Sequence, residues 1–288
     1  MKNTDVIKVF VGCDPNNSDL EQMMVLDYSI HKHTEVPVEI VWMQLSHDPK
    51  SFWYSNPETG EGWNTTKWAT PFSGFRWAIP EYCDFEGRAI YMDADMVVLS
   101  DLAELWSHPI QGESIVAAKT KADMTRLCTC VWDCHKAEGT LLPLEALRAD
   151  ADSHKKMMHL IKKEPQLIES YQGSYNCVDG EDLLIKDIKI LHYSDMGTQF
   201  SHKYSLPRLE KEGTKHWFDG KIMPHPRPEL SELFDQYYQE ALKAGYKLDD
   251  YRIPPFGNFP KKSHKRYRGN KVTRPKTLKT MLSRLLNR

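Results

Sequence analysis

Short apolar runs alternate with amphipathic stretches along the chain, and the alternation predicts its architecture. Ile7–Gly12 (IKVFVG) is an apolar run that ends in Gly, Cys and Asp, the pattern of a strand buried on both faces. Residues 18–32 predict a helix, with Ser18 suited to the N-cap, Glu21 three residues on, and Met24 and Tyr28 in one apolar stripe. Val38–Met43 (VEIVWM) predicts the next strand, and strand, helix, strand at this spacing is a βαβ unit that implies a parallel sheet. Further on, residues 72–79 predict a helix, 88–92 and 114–118 strands, and 130–132 a short strand. Helices are expected at 144–147, 155–161 and 234–244, with one more strand at 188–192. Between the first unit and the rest, residues 46–70 are polar, aromatic and rich in turn formers, which predicts a long functional or mobile loop. No internal repeat interrupts this order. The expected class is α/β, with a mostly parallel central sheet flanked by helices.

Composition adds limits. The chain has 288 residues, 40% of them hydrophobic and 27% charged, enough for one large domain or a domain with an appendage. No apolar run reaches the length of a membrane-spanning helix, and the first residues lack the apolar stretch of a signal peptide, so a cytoplasmic location is expected. The six cysteines then stay reduced. Cys128, Cys130, Cys134 and His135 form a sequence cluster, but zinc sites normally join two separated ligand pairs, and small buried thiols are the favoured reading. The net charge of −2 hides an asymmetry: residues 261–288 hold 11 Lys or Arg and no Asp or Glu, leaving a balance of −13 on the remainder.

The strongest chemical signal is AIYMDADMVVLSD, residues 89–101. An apolar strand leads into Asp93 and Asp95, whose spacing puts both carboxylates on one face of an extended backbone. Such a pair repels itself unless a divalent cation intervenes, and its hard oxygen ligands suit Mg or Mn, which bridge phosphate oxygens. The pair also falls beyond the carboxyl end of a strand, where open α/β sheets bind ligands.

Here the chain resembles the family 8 glycosyltransferases, which have the GT-A fold and use a nucleotide sugar with a metal. Besides the DxD strand, VFVGCD (residues 9–14), FRWAIPE (75–81) and HYSDMG (192–197) agree with that family in order, over about residues 6–205. The resemblance implies Asp93, Asp95 and His192 as metal ligands. It implies Val11, Asp14, Arg76, Asp93 and Ala94 as donor-binding residues, with Gly197 in the late histidine motif. That motif departs from the usual His-x-x-Gly-x-x-Lys-Pro-Trp, so either Lys203 or His202 is the candidate clamp on the diphosphate. The family's Asp-Gln pair is nearest to YNCVDGED (175–182), making Asp179, Glu181 and Asp182 candidate catalytic residues. Bland readings stand beside these: Asp14 also suits a turn with Pro15 and Asn16, a lone His192 suits the core, and Trp53, Tyr54, Trp63 and Trp68 suit either a core or stacking on a sugar.

The implied reaction is metal-dependent transfer, with retention, from a nucleoside diphosphate sugar, a UDP-sugar by the resemblance, to a glycan or glycolipid hydroxyl. A modified base in DNA is the alternative acceptor, and a metal-dependent nucleotidyltransferase the alternative enzyme, although GCDPNN is no Gly-rich phosphate loop. A catalytic domain is expected over 1–230 and a C-terminal helical extension over 231–288. Within the basic tail, Leu278, Met281, Leu282 and Leu285 recur at helical spacing, which predicts an amphipathic helix suited to the inner face of an anionic membrane, with nucleic acid or a protein surface as other partners.

Overall fold

The computed structural model describes residues 6–121, 124–218 and 220–257. The basic tail at 261–288, and the membrane-binding helix expected in it, lie outside the described residues. No described helix is long and apolar enough to cross a membrane.

The expected βαβ unit is present: β1 (Ile7–Gly12), α1 (Leu20–His33) and β2 (Val38–Met43), with β1 and β2 parallel. The helix begins after Ser18, because Asp14 captures the turn: its Oδ2 accepts from the backbone N–H groups of Asn16 and Ser18 at 2.8 and 2.9 Å. Asp19 rather than Ser18 is the N-cap residue, and it makes no side-chain capping bond. Glu21 is buried, held by Arg208 instead of closing a capping box.

The long loop after β2 is neither open nor sugar-facing at its large rings. Trp53, Trp63 and Trp68 are buried and pack their rings 4.7, 5.0 and 5.5 Å from that of Phe75. Two short strands, β3 (Ser55–Asn56) and β4 (Glu61–Gly62), pair antiparallel within it. Only glycine fits at Gly62, where φ is +76° and a Cβ would lie 2.2 Å from the Tyr54 carbonyl oxygen.

A 3₁₀ turn over Phe75–Ala78 runs into α2 (Ile79–Tyr82) and then into β5 (Arg88–Asp93) and β6 (Met96–Val98). After α3 (Leu102–Trp106), β7 (Val116–Lys121) pairs with β8 (Met124–Asp133), a strand of ten residues where the sequence pattern predicts three. Helices α4 (Cys134–Ala137), α5 (Leu144–Ala149) and α6 (Ser153–Lys163) lead to β9 (Ile168–Ser170). The main sheet has the order β2-β1-β5-β8-β7-β9, parallel at β1–β2, β1–β5 and β7–β9 and antiparallel at the two β8 pairings. The expected α/β class with a mostly parallel sheet is therefore observed.

A second sheet joins β10 (Cys177–Val178), β11 (Ile190–His192) and β6. The chain then forms α7 (His202–Lys211) and α8 (Pro228–Lys243). Helix α8 runs across residue 230, where the extension was placed, and lies on α1, with Lys32 Nζ 2.6 Å from Glu240 Oε2 and the Tyr28 and Tyr237 rings in edge contact.

One buried base gives the fold an acid sensitivity. His154 Nδ1 accepts from Trp77 Nε1 at 2.9 Å, and burial lowers the His154 pKa from 6.5 to about 4. The unfolded chain therefore takes up a proton that the folded one refuses, so stability is full above pH 6.5 and falls as pH drops toward about 4, by at most about 1.4 kcal/mol per pH unit. Burial also lowers the His216 pKa, to about 3, so both bases contribute to the slope seen in urea melts over this window, and His154→Gln should lower it by up to about 1.4 kcal/mol per pH unit; an unchanged slope would assign it to the other groups.

Candidate active site

Two antiparallel pairings build the site. β5 ends at Asp93, and the chain turns through Ala94 and Asp95 into β6, which pairs with β11 so that Met96 lies opposite His192. The turn is tied down by the Tyr193 N–H, which donates to the Asp95 carbonyl at 2.9 Å. His192 Nε2 then stands 3.2 Å from Asp95 Oδ1 and 3.9 Å from Asp93 Oδ2. His192 thus lies beside both aspartates, while the ligand atoms that all lie within 4.8 Å of one another among the described residues are those of Asp93, Cys128 and His192, without Asp95.

Their environment is buried and charged. Asp95 Oδ1 is buried and has His192 Nε2 3.2 Å away as its ion-pair partner, and His192 Nδ1 is buried with no hydrogen-bond partner among the described residues. Burial pushes the Asp93 carboxyl upward against the pull of Arg76 and His192. Burial opposes the His192 imidazolium, yet Asp95 and Cys128 beside it hold its pKa well above the usual value. The donor set fits a divalent metal.

Arg76 is buried and faces the pair. Its Nη2 donates to Tyr91 Oη at 3.0 Å and reaches Asp93 Oδ1 at 3.5 Å, while Nη1 donates to the Leu127 carbonyl at 2.6 Å. Tyr91 itself donates to Asp93 Oδ1. Gly12, opposite Asp93 on β1, leaves room for this: a Cβ there would come within 2.9 Å of Tyr91 Oη. Val11 and Ala94 are both buried beside these residues in the sequence.

The sequence model of glycosyl transferase family 8 matches residues 22–172, just over half of the chain. The chain belongs to glycosyl transferase family 8. Protein CDI of Arabidopsis thaliana is 34% identical over 100 residues, which cover 34% of this chain and 35% of that protein. The alignment thus spans about a third of the curated relative it matches. Among solved structures, the glycosyltransferase GlyE of Streptococcus pneumoniae TIGR4 shares the fold, with a TM-score of 0.50 and 14% identity over 89% of this chain and 67% of that one.

The other residues named for this family 8 chain are distributed unevenly. Asp14 shapes its turn and is wholly buried, and its Oδ1 has no partner among the described residues; burial raises its pKa against the amides of Ser18 and Asn16. Gly197 takes part in a tight turn, its N–H donating to Asp195 Oδ1 at 2.8 Å. Neither candidate clamp is free: His202 Nε2 bonds the Met196 carbonyl at 2.7 Å, and Lys203 Nζ pairs with Asp235 Oδ2 at 2.5 Å. Asp179 braces the histidine strand, its N–H donating to the His192 carbonyl and its carboxylate held by Ser194 and by His225 Nε2 at 3.0 Å. Glu181 is bridged by Lys119 and Arg126, which hold its pKa below the usual range despite burial, and Asp182 is exposed.

Two further residues stand at the centre: Gln199, which carries no signal of its own in the sequence, and Cys128, which the sequence groups with other cysteines. Gln199 Nε2 donates to Asp95 Oδ2 at 2.8 Å and to the Tyr193 carbonyl at 2.9 Å, and its Oε1 is held by Gln22 of α1. Cys128 comes within 4.8 Å of Asp93 and His192, whereas its sequence neighbours Cys130, Cys134 and His135 join no such group among the described residues.

Proposed function

We propose that this chain transfers a sugar from a nucleoside diphosphate sugar, a uridine diphosphate sugar, to a hydroxyl of a glycan or glycolipid, with retention of the anomeric configuration. The observation that carries the reading is His192 Nε2 standing 3.2 Å from Asp95 Oδ1 and 3.9 Å from Asp93 Oδ2, all three side chains being largely buried. Those three side chains would hold a Mn or Mg ion. When bound, the ion supplies positive charge to the diphosphate as the sugar leaves it.

The protein's own part is positioning. Arg76 and Tyr91 fix Asp93, and Gln199, backed by Gln22, fixes Asp95, so both carboxylates are oriented before any ligand arrives. Asp14, two residues past β1, has a buried Oδ1 with no partner among the described residues, which would accept from a uracil N–H or a ribose hydroxyl once its turn opens to the ligand.

Calorimetry with uridine diphosphate and Mn should show binding that a chelator weakens. Preference for guanosine or cytidine diphosphate would remove the uridine assignment, and no binding of any nucleotide would remove the donor class.

A further inference from the structure

Strand β8 carries a thiol to the aspartate pair. In the antiparallel register with β5, Tyr91 faces Cys130 and Met92 faces Thr129, so Cys128 is the β8 residue that arrives at Asp93. Sulfur of Cys128, a ring nitrogen of His192 and an oxygen of Asp93 all lie within 4.8 Å of one another. The sulfur is also aimed. Asn176, fully buried, donates from Nδ2 to Cys128 Sγ at 3.2 Å and accepts the thiol at Oδ1, 3.4 Å away.

The chemistry of the donors decides what this arrangement holds. Two carboxylates and an imidazole suit hard and borderline ions, and a thiolate adds strong preference for softer ones. A tetrahedral site with metal–sulfur and metal–nitrogen bonds of about 2.3 and 2.0 Å sets its ligand atoms about 3.5 Å apart. The observed spacing, within 4.8 Å, closes to that by small side-chain movements. Asn176 stays useful after the change, since its N–H continues to donate to the sulfur once the proton has gone.

We infer that Cys128 is a direct sulfur ligand, with Asp93 and His192, at the proposed cation site, which lets that site take zinc, cobalt or cadmium in a sulfur-bound mode. The inference rests on the cation reading of the site. As the metal–sulfur bond forms, the thiol proton passes to solvent, and no electron changes hands. Manganese, a poor partner for sulfur, relies on the carboxylates and the imidazole, so the two kinds of ion compete for one place.

The test is cobalt titrated into the full-length protein after chelator treatment, followed by absorption and by equilibrium dialysis. The expected result is a sulfur-to-cobalt charge-transfer band in the near ultraviolet, lost in Cys128→Ser while cobalt still binds, and kept in Cys130→Ser. Cadmium affinity should fall about tenfold or more in Cys128→Ser, and manganese affinity should change less than about threefold. Cobalt bound by the unaltered protein without the band overturns the sulfur ligand and leaves the cation site standing. A band kept in Cys128→Ser does the same. If neither cobalt nor manganese binds, the cation reading falls, and this inference with it. Should Cys128→Ser fail to fold, the unaltered protein and Cys130→Ser still decide: a band in both supports the sulfur ligand, and its absence from the first overturns it.

Discussion

Asp95→Asn should lower metal-dependent sugar transfer by about a thousandfold while leaving the melting temperature nearly unchanged. The reasoning starts from what the substitution preserves. An amide has the shape of the carboxylate, and its oxygen can still accept from Gln199 Nε2, the bond that ties residue 95 to the loop after β11. What it removes is one negative charge and a strong oxygen ligand beside His192 Nε2, 3.2 Å away. Cation affinity and transition-state charge stabilisation therefore fall together, and the fold does not. Steady-state rates with a range of Mn concentrations, paired with thermal melts, separate the two. Full activity that still needs metal would place the ion elsewhere.

Arg208→Met should cost about 3–5 kcal/mol, because it strands a charge. Glu21 is 1% exposed, and Arg208 holds both its oxygens, at 2.6 Å through Nε and 2.9 Å through Nη2. The same guanidinium caps the Asn17 carbonyl at 2.9 Å, joining α7 to the turn that Asp14 shapes. With the arginine gone, Glu21 is left buried without the partner that holds both its oxygens. In a chain of this size the loss corresponds to roughly 6–20 °C in melting temperature. Adding Glu21→Gln to the same chain should recover much of it, since the stranded charge and not the missing pair is the main cost. If the double variant is no more stable than the single one, the penalty lies in packing instead.

How far the sequence anticipates these features depends on whether each is local. The β1–α1–β2 unit and the placement of Asp93 and Asp95 follow from apolar runs and a two-residue spacing, both local. His192 is local only as the end of an apolar strand; its pairing with β6 is not. Ser18 misleads because the capping pattern takes no account of Asp14, whose carboxylate reaches the Ser18 N–H first. In the loop at 46–70, composition leaves the tryptophans undecided, and packing around Phe75 settles them. Order along the chain points to His202 and Lys203 as clamps, but the side chain that reaches Asp95 is Gln199. Cys128 was grouped with the cysteines next to it in sequence, whereas strand register joins it to Asp93 across the sheet.

The pairing of β6 with β11 also sets a schedule for assembly. Asp93 and Asp95 leave the ribosome about a hundred residues ahead of His192, and closing a loop of that length costs about 4 kcal/mol in chain entropy before the contact returns anything. A nascent chain halted before β11 carries both carboxylates and no imidazole to join them. On the proposed reading, cation capture at full strength thus waits for β11, about two thirds of the way along the chain, and an ion that binds only the joined arrangement draws that closure forward by mass action. If the site holds an ion as proposed, metal supply during synthesis would govern the yield of folded protein.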